Sequence, residues 1–334
     1  MALEHMIDRF RLRMSQRREA RMLERQKEQA LAQAIDRVVK ASAPVVCSLQ
    51  DCRRDLRSPV GNALHYIEQT IDAIPGPFPL SPEKWDQDPL LKAMFVTPDE
   101  LSSLLAGDAR LKSYFAQPQA DRVFALLAAT KMERTIFAPA VEGEIVRRDV
   151  PQTAVEFHDL RMLDLAATEA ATRYALKDRA LNALVTQVLE RLLQIRALKD
   201  ELKEHQRILS IQLKIQQTRT HSLDELMSED RGAEPAAPVA QQVLADIDRQ
   251  IQDLAAESDS PVDYLRQLTA VLNAPQEVLT VVPITMRLNW MGVRLDDPSG
   301  ASDRGICLAE VELQNRLKRV AVIVSIARED CLKR

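Results

Sequence analysis

A heptad-like apolar pattern runs from about Leu160 to Leu226 and constrains this chain more than any other feature of its sequence. As a single helix this stretch would be about 100 Å long, at a rise of about 1.5 Å per residue. So long a helix cannot bury its apolar stripe inside one compact domain, so it must pack along other helices of the same chain or of a partner. The pattern therefore predicts a protein built for assembly rather than for catalysis.

The register of this predicted helix defines candidate interaction residues. Its a and d positions include six aliphatic residues, namely Val185, Val188, Leu192, Ile195, Leu202 and Leu209. Lys199 occupies an a position in the same register, so the predicted coil is imperfect. A second apolar set lies off this register and comprises Leu184, Leu189, Leu193, Leu198, Ile208, Ile211 and Ile215. Because a two-stranded rod would leave the second set in water, we expect additional helices to pack against it.

Composition supports a helix-rich fold. Only 8 of the 334 residues are glycine, and aromatic residues make up 4%. Glycine supplies the left-handed turns and close backbone approaches that nucleotide-binding α/β folds use. The few glycines form no phosphate-binding loop, which argues against NTPase activity. Apolar residues make up 46% of the chain, enough for packed cores built mainly from aliphatic side chains.

The C-terminal sixty residues have a different pattern. Val278 to Trp290 alternate between apolar and more polar residues, and Ile306 to Leu313 and Leu317 to Ala327 are two further apolar runs. The sequence therefore predicts a terminal three-stranded antiparallel β-meander with open edges, which another chain could extend. The expected fold class is mainly α with a small C-terminal α+β part. It comprises a helical N-terminal half, one long coiled-coil-like helix and the meander.

Prolines, linkers and periodicity divide the chain into six expected segments. Thr97, followed by Pro98 and Glu100, is a helix start of the capping-box type in the second of them. The segments are 1–74, basic N-terminal helices; 75–135, a small helical domain; 136–157, an extended arm or short β-hairpin; 158–227, the long heptad-patterned helix; 228–238, a linker; and 239–334, helices plus the antiparallel meander.

The N-terminal 27 residues carry eight basic and four acidic groups, although the whole chain has a net charge of −4. Arg11, Arg17, Arg18 and Arg21 are the candidate contact residues of this predicted amphipathic helix. Three interpretations remain open. The arginines could pair with acidic residues of the same helix, bind an acidic protein partner, or bind nucleic acid or lipid phosphates.

No cofactor or metal site is expected from the sequence. The five histidines and four cysteines lack metal-ligand spacing, and the cysteines fit reduced thiols. The sequence shows neither an apolar signal region nor a transmembrane segment, so we expect a cytoplasmic protein. His158, with Asp159 and Glu156, could form an acid/base cluster or a local cap at the start of the long helix.

One short resemblance concerns the seven residues Arg54-Asp55-Leu56-Arg57-Ser58-Pro59-Val60. This segment is similar to the phosphoacceptor box of sensor histidine kinases, in which a histidine precedes an acidic residue, Leu, Arg, Ser or Thr, and Pro. Arg54 occupies the position of the phosphorylated histidine, and the ATP-binding boxes are missing from the sequence downstream. The resemblance thus implies at most a helix-dimerisation module without phosphotransfer.

The leading hypothesis from sequence is a non-catalytic structural or adaptor subunit of a cytosolic, bacterial multiprotein assembly. We expect it to associate with protein partners, including further copies of itself, through the long helix and the C-terminal sheet edge. One alternative is a regulatory nucleic-acid-binding protein that uses the basic N-terminal helix. Another is an enzyme with an unrecognised site near residues 81–158.

Overall fold

A computed structural model describes residue 25 and residues 28–41, 51–117, 120–142, 145–219, 236–258, 260–289, 291–295, 305–314 and 317–332. The chain forms two compact units. The helical unit comprises Met1–Gly61 and Asn182–Asn273, and the sheet unit comprises Asn62–Leu181 and Ala274–Arg334. About 59% of the described residues are helix and about 27% are strand.

The sheet unit is built on a six-stranded sheet. Five antiparallel strands lie in the order β3-β2-β6-β5-β4, and the two-residue β1 pairs in parallel with β6. The strands are β1 Phe78–Pro79, β2 Arg122–Glu142, β3 Ile145–Ala166, β4 Leu279–Met286, β5 Ile306–Leu313 and β6 Leu317–Ala327. The three strands of the predicted meander are therefore present, but they form only half of the sheet.

The predicted fold class is wrong, because a long hairpin of 21- and 22-residue strands joins the meander. Residues 75–135 were expected to form a small helical domain, whereas Val123, Phe124 and Leu127 within that range lie in β2, paired with β6. The run from Val123 to Ala129 is buried on both faces of the sheet, except at Phe124. Such a strand shows no alternation of apolar and polar residues, so its pattern cannot be distinguished from a buried helix.

The start of the long helix also differs from the expectation. Residues 158–166 belong to β3, and the helix, here α7, covers Glu169–Arg219. Within the expected extended arm or short β-hairpin at 136–157, the sequence suggested a turn at residues 147–152, but these residues likewise lie within β3. The predicted helix began too far toward the N-terminus because Leu160, Leu163 and Leu165 have the spacing of apolar residues on a helix, although they lie in an irregular strand.

Three aspartates mark β-bulges in β3. Asp149, Asp159 and Asp164 have left-handed backbones with φ of 60°, 53° and 52°. At each of these places β3 uses one residue more than β2 between consecutive pairs of the ladder. Aspartate tolerates this conformation better than most residues, because its short side chain can bond locally. The bulges interrupt the regular edge of β3.

The other edge strand, β4, carries Pro283 at its middle. Gln314 N donates to Val278 O at 2.7 Å, so these two residues form a hydrogen-bonded pair. From this pair onward, hydrogen-bonded and non-hydrogen-bonded pairs alternate along β4 and β5. Residues 279, 281, 283 and 285 therefore direct their backbone groups away from β5. Tyr66 donates its hydroxyl to the outward Leu279 carbonyl at 2.7 Å, which agrees with this assignment. Proline has no N–H, so it interrupts any ladder that a further strand could form here.

Short helices and two longer ones cover the sheet. They are α3 Arg57–Asp72, α4 Pro89–Met94, α5 Pro98–Gly107 and α6 Ala109–Phe115, together with the start of α7 and the terminal α10 Arg328–Leu332. The predicted start of α5 is confirmed, because Thr97 Oγ1 accepts from Glu100 N at 3.2 Å. Phe95, Leu101 and Leu111 are buried in the main core together with Leu127 and Val322 of the sheet.

Arg173 connects α7 to the end of α3. Its guanidinium donates to the carbonyls of Ile71 at 2.7 Å and Ile74 at 3.1 Å, and to Glu169 Oε1 at 2.8 Å. Carbonyls at a helix C-terminus lack intrahelical partners, and a cation there also complements the helix dipole. The planar guanidinium can serve these three acceptors at once.

We expect Arg173→Lys to lower the free energy of unfolding by about 1–3 kcal/mol, because a single ammonium cannot replace the forked set of hydrogen bonds. Chemical denaturation followed by circular dichroism measures this difference. Arg196→Lys is the matched control, since Arg196 is exposed on the same helix. Equal midpoints for the two variants would contradict the role assigned to Arg173.

The helical unit contains a helix over residues 28–41 (α1), α2 Cys52–Asp55, the start of α3, the distal part of α7, α8 Ala236–Ser258 and α9 Pro261–Asn273. Its described core is aliphatic: Val38, Leu56, Val60, Leu184 and Leu268 are each at most 1% exposed. Gln206 of α7 and Asp248 of α8 are joined by a hydrogen bond. The predicted linker 228–238 lies outside the described residues up to position 235.

Candidate interaction surface

The distal part of α7 contains the six aliphatic residues chosen from the sequence as interaction positions. Val185, Val188 and Leu192 are buried within this chain, at 1%, 1% and 5% exposure. Ile195, Leu202 and Leu209 are half-buried on the same side of the helix. The structure thus brings all six to one face, and that face packs inside the protein.

Lys199 also belongs to this inner face. It is buried at 9% exposure, at the position that the heptad register marked as imperfect. Leu213, two turns beyond Gln206, is buried as well. The inner face therefore continues along most of the helix, and its polar members lie among aliphatic side chains.

A second apolar face lies on the other side of the same helix. Leu193 is 63% exposed, and Ile208, Ile211 and Ile215 are each nearly half exposed. At about 100° per residue these four side chains fall within an arc of about 60°, roughly opposite Leu192, Lys199 and Leu213. We call these four residues the outer stripe.

Acidic residues lie between the two ends of the outer stripe. Asp200, Glu201 and Glu204 are exposed, on or beside the line that joins Leu193 to Ile208. Arg207, one turn further along, has Nη1 at 4.0 Å from Glu204 Oε2. The surface is therefore apolar at both ends and charged at its centre.

The outer stripe is an unusual feature for a helix surface. Single exposed aliphatic residues are common, but four large ones aligned on one helix face are typical of an interaction site. In the sequence analysis these residues were assigned to the set outside the heptad register, for which additional helices were expected. Leu184 of that set is fully buried, and Leu189 is half-buried. Within this set, the side chains are exposed only from Leu193 onward, and the periodicity of the sequence does not predict that this is where exposure begins.

Comparisons with known proteins add nothing to this geometry. No family model, curated protein or solved structure matches this chain. The outer stripe and its surroundings are therefore the basis for the function proposed below.

The cluster around His158 lies on strand β3 rather than at a helix start. His158 Nε2 is 3.1 Å from Glu156 Oε2, which also accepts from Arg134 at 3.0 Å. His158 and Glu156 are about half exposed. Asp159 points to different partners, Arg161 and Arg319, whose hydrogen bonds lower the pKa of its carboxyl. These four contacts are typical of surface ion pairs that stabilise a bulged strand.

Metal and thiol chemistry gains little support from the described residues. Among them, no group of three or more His, Cys, Asp or Glu side chains could hold a metal ion. Cys52 is buried, Cys307 is exposed and Cys331 is half-buried, and none of the three forms a disulfide. Burial raises the pKa of Cys331 to about 11, so its thiol stays protonated and weakly nucleophilic near neutral pH.

Two further expectations concern membranes and the N-terminus. Among the helices of the described residues, none combines the length and the apolar character that a membrane span requires. Arg11, Arg17, Arg18 and Arg21 lie outside the described residues. The interpretations of the basic N-terminal helix therefore stay predictions.

Proposed function

We propose that this protein is a non-catalytic structural or adaptor subunit of a protein assembly, and that it docks through the outer stripe of α7. One observation carries the proposal: α7 has two apolar faces, and among the residues that the structure describes, those packed against α7 cover only the inner one. Burial of exposed aliphatic surface is the main favourable term in protein association. Four large aliphatic side chains on one helix face provide such surface.

The charge pattern defines the chemistry of the occupant. A helix that covers the outer stripe must bury aliphatic side chains at both ends and bring basic side chains to Asp200, Glu201 and Glu204 at the centre. We therefore propose an amphipathic helix with basic residues near the middle of its apolar face. Helix-in-groove and helix-on-helix recognition both use this arrangement.

The C-terminal sheet edge, expected from sequence to be a second association site, is not part of this proposal. Pro283 interrupts the outward ladder of β4, and bulges at Asp159 and Asp164 interrupt that of β3. Strand addition needs a continuous row of donors and acceptors. Association is therefore assigned to the helix alone.

Photo-crosslinking tests the proposal in the native host. A photoreactive side chain placed at position 211 should give one adduct of defined mass, identified by mass spectrometry, whereas the same group at position 262 should not. Val262 is a suitable control position because it is 57% exposed on another helix, α9. Adducts of equal yield at both positions, or none at 211, would overturn the proposal.

Polar substitution of the stripe should abolish that adduct. With Leu193→Gln, Ile208→Gln and Ile215→Gln combined, we expect the yield at position 211 to fall at least about tenfold, because each aliphatic anchor contributes on the order of 1 kcal/mol or more. The control combines Val96→Gln with Val262→Gln, which removes exposed aliphatic side chains elsewhere. Circular dichroism of the purified variants should show unchanged helix content, since all substituted residues are exposed.

A further inference from the structure

We infer that the outer stripe is covered by residues 1–24 of this same chain, here called the N-terminal segment, until a partner helix displaces them. This inference rests on the proposed function and adds a second, internal occupant of the same surface. The N-terminal segment lies outside the described residues, so the argument uses its sequence and the described surface of α7.

The N-terminal segment has the composition that the outer stripe requires. It contains neither glycine nor proline, and it carries a series of apolar residues followed by two arginines: Leu3, Ile7, Phe10, Met14, Arg17 and Arg18. At about 100° per residue, the four apolar residues would share an arc of about 60° on a helix, with one arginine on each flank. The sequence therefore predicts a helix with one face that is apolar first and basic further on.

The surface of α7 has the reverse order. Its acidic residues come first along the helix and its isoleucines follow: Asp200, Glu201, Ile208, Ile211 and Ile215, all exposed. An antiparallel helix therefore places its apolar end against the isoleucines and its basic end against the carboxylates. A parallel helix would place its apolar end beside the carboxylates, which would lose hydration without gaining a partner. The order of residues thus selects the antiparallel direction.

The apolar residues also match in spacing. The three isoleucines of α7 are separated by 3 and 4 residues, and three apolar residues of the N-terminal segment are separated by the same steps in the opposite direction. In the antiparallel alignment each isoleucine faces one of them: Ile208 faces Phe10, Ile211 faces Ile7, and Ile215 faces Leu3. Two helices in this register bury large aliphatic side chains along about 10 Å of their length.

The same alignment pairs the charges on both flanks of the contact. Arg17 and Asp200 lie on the same flank of their helices, seen along each chain direction, at nearly the same height. Arg18 and Glu201 lie on the opposite flank. The same flanks meet in an antiparallel pair of helices, so two ion pairs of opposite charge form across the contact. Complementary charges of this kind set the register of an interface.

Two residues of the surface are not matched in this way. Glu204 faces Met14, and its carboxylate keeps Arg207 of α7 as its neighbour, with Nη1 of that arginine at 4.0 Å. Leu193, which is 63% exposed, lies beyond the contact. A partner helix can therefore bind at Leu193 first and then displace the N-terminal segment.

The chain connection allows this contact. Met1–Gly61 and the distal part of α7 belong to the same compact unit. Residues 19–24 join the predicted contact to Arg25, which is helical and exposed, and they span about 20 Å when extended. A tethered segment has an effective concentration on the order of millimolar, so a modest contact is sufficient to cover the surface.

Photo-crosslinking of the purified full-length chain tests the inference. A photoreactive side chain at position 211 should link to residues 1–14 of the same chain, identified by mass spectrometry after digestion. The same group at position 262, on α9, should give no link to this segment. When isotopically labelled and unlabelled chains are mixed, the link should join only residues of one chain.

Charge reversal tests the register. Arg17→Glu combined with Arg18→Glu should lower the yield of the internal link at least about fivefold, because both ion pairs become repulsive. Adding Asp200→Lys and Glu201→Lys restores opposite charges and should return the yield to within about twofold of the native value. The control combines Arg9→Glu with Lys27→Glu, which makes the same change of net charge outside the predicted contact. It should leave the yield unchanged.

The outcomes separate this inference from the proposed function. In the native host, the double glutamate variant at positions 17 and 18 should raise the yield of the partner adduct at position 211, because the internal competitor is weakened. Links between two different chains, or a yield that the double glutamate variant leaves unchanged, would overturn the inference. No link to the N-terminal segment, with a partner adduct still formed in the host, would overturn the inference alone. Absence of both products would overturn the proposed function as well.

Discussion

Val188→Asp is expected to unfold the helical unit, with a loss of about 4 kcal/mol or more in the free energy of unfolding. Val188 is 1% exposed on the inner face of α7, beside Val185 and Leu192. A carboxylate there would lose its hydration among aliphatic side chains, which is among the most costly single substitutions. Thermal and urea unfolding followed by circular dichroism measure the loss.

Thr186→Asp is the matched control for Val188→Asp. Thr186 is exposed on the same helix, two residues away, so the new carboxylate stays in water. We expect this variant to unfold within about 0.5 kcal/mol of the native protein. Equal stability of the two variants would show that the inner face is not covered by this chain, and would remove the distinction between the inner face and the outer stripe.

Gly76→Ala is expected to destabilise the sheet unit by about 3 kcal/mol or more. The alanine would have to adopt a backbone conformation that is uncommon for residues with a side chain, and its Cβ would also overlap a neighbouring atom. Gly76 has φ of 130°, and an added Cβ would overlap the carbonyl of Ile323 in the central strand β6. The neighbouring backbone is fixed, since Ile323 N donates to Pro75 O at 2.9 Å and Leu80 N to Ser325 O at 2.9 Å. Neither β6 nor the segment around Gly76 can move without breaking these bonds.

Gly107→Ala serves as the control for the glycine substitution. Gly107 is the last residue of α5 in the same unit, and a Cβ built there meets no atom within 4 Å. The alanine should be neutral or stabilising by up to about 1 kcal/mol. Differential scanning calorimetry of the two variants compares them directly, and similar melting temperatures would contradict the close approach assigned to Gly76.

The sequence predicted those parts of the fold whose patterns are local. The strands β4, β5 and β6 alternate or are bounded by turn residues, and the start of α5 carries a capping residue at Thr97. The hairpin β2–β3 was missed because its burial on both faces depends on neighbours distant in sequence. Within β3, Asp159 and Asp164 shift the alternation of side chains, so the strand resembles helical spacing.

The candidate surface was only half predictable for a similar reason. Periodicity showed that α7 carries two apolar sets, but it could not show which set this chain covers itself. Burial decides that point: Val188 and Leu192 lie inside, whereas Leu193 and Ile211 lie outside. The deciding information comes from residues packed against α7 that are far away in sequence, such as Asp248 of α8.

Blocked sheet edges have a consequence for the size of the proposed assembly. Strand addition is open-ended, since each added strand offers a fresh edge to the next, and it leads to fibres. Pro283 on one edge and the left-handed aspartates on the other oppose that route in this protein. A helix that covers the outer stripe, by contrast, uses up that surface when it binds. The proposed association would therefore stop once the outer stripe is covered, and the particle would not grow further with protein concentration.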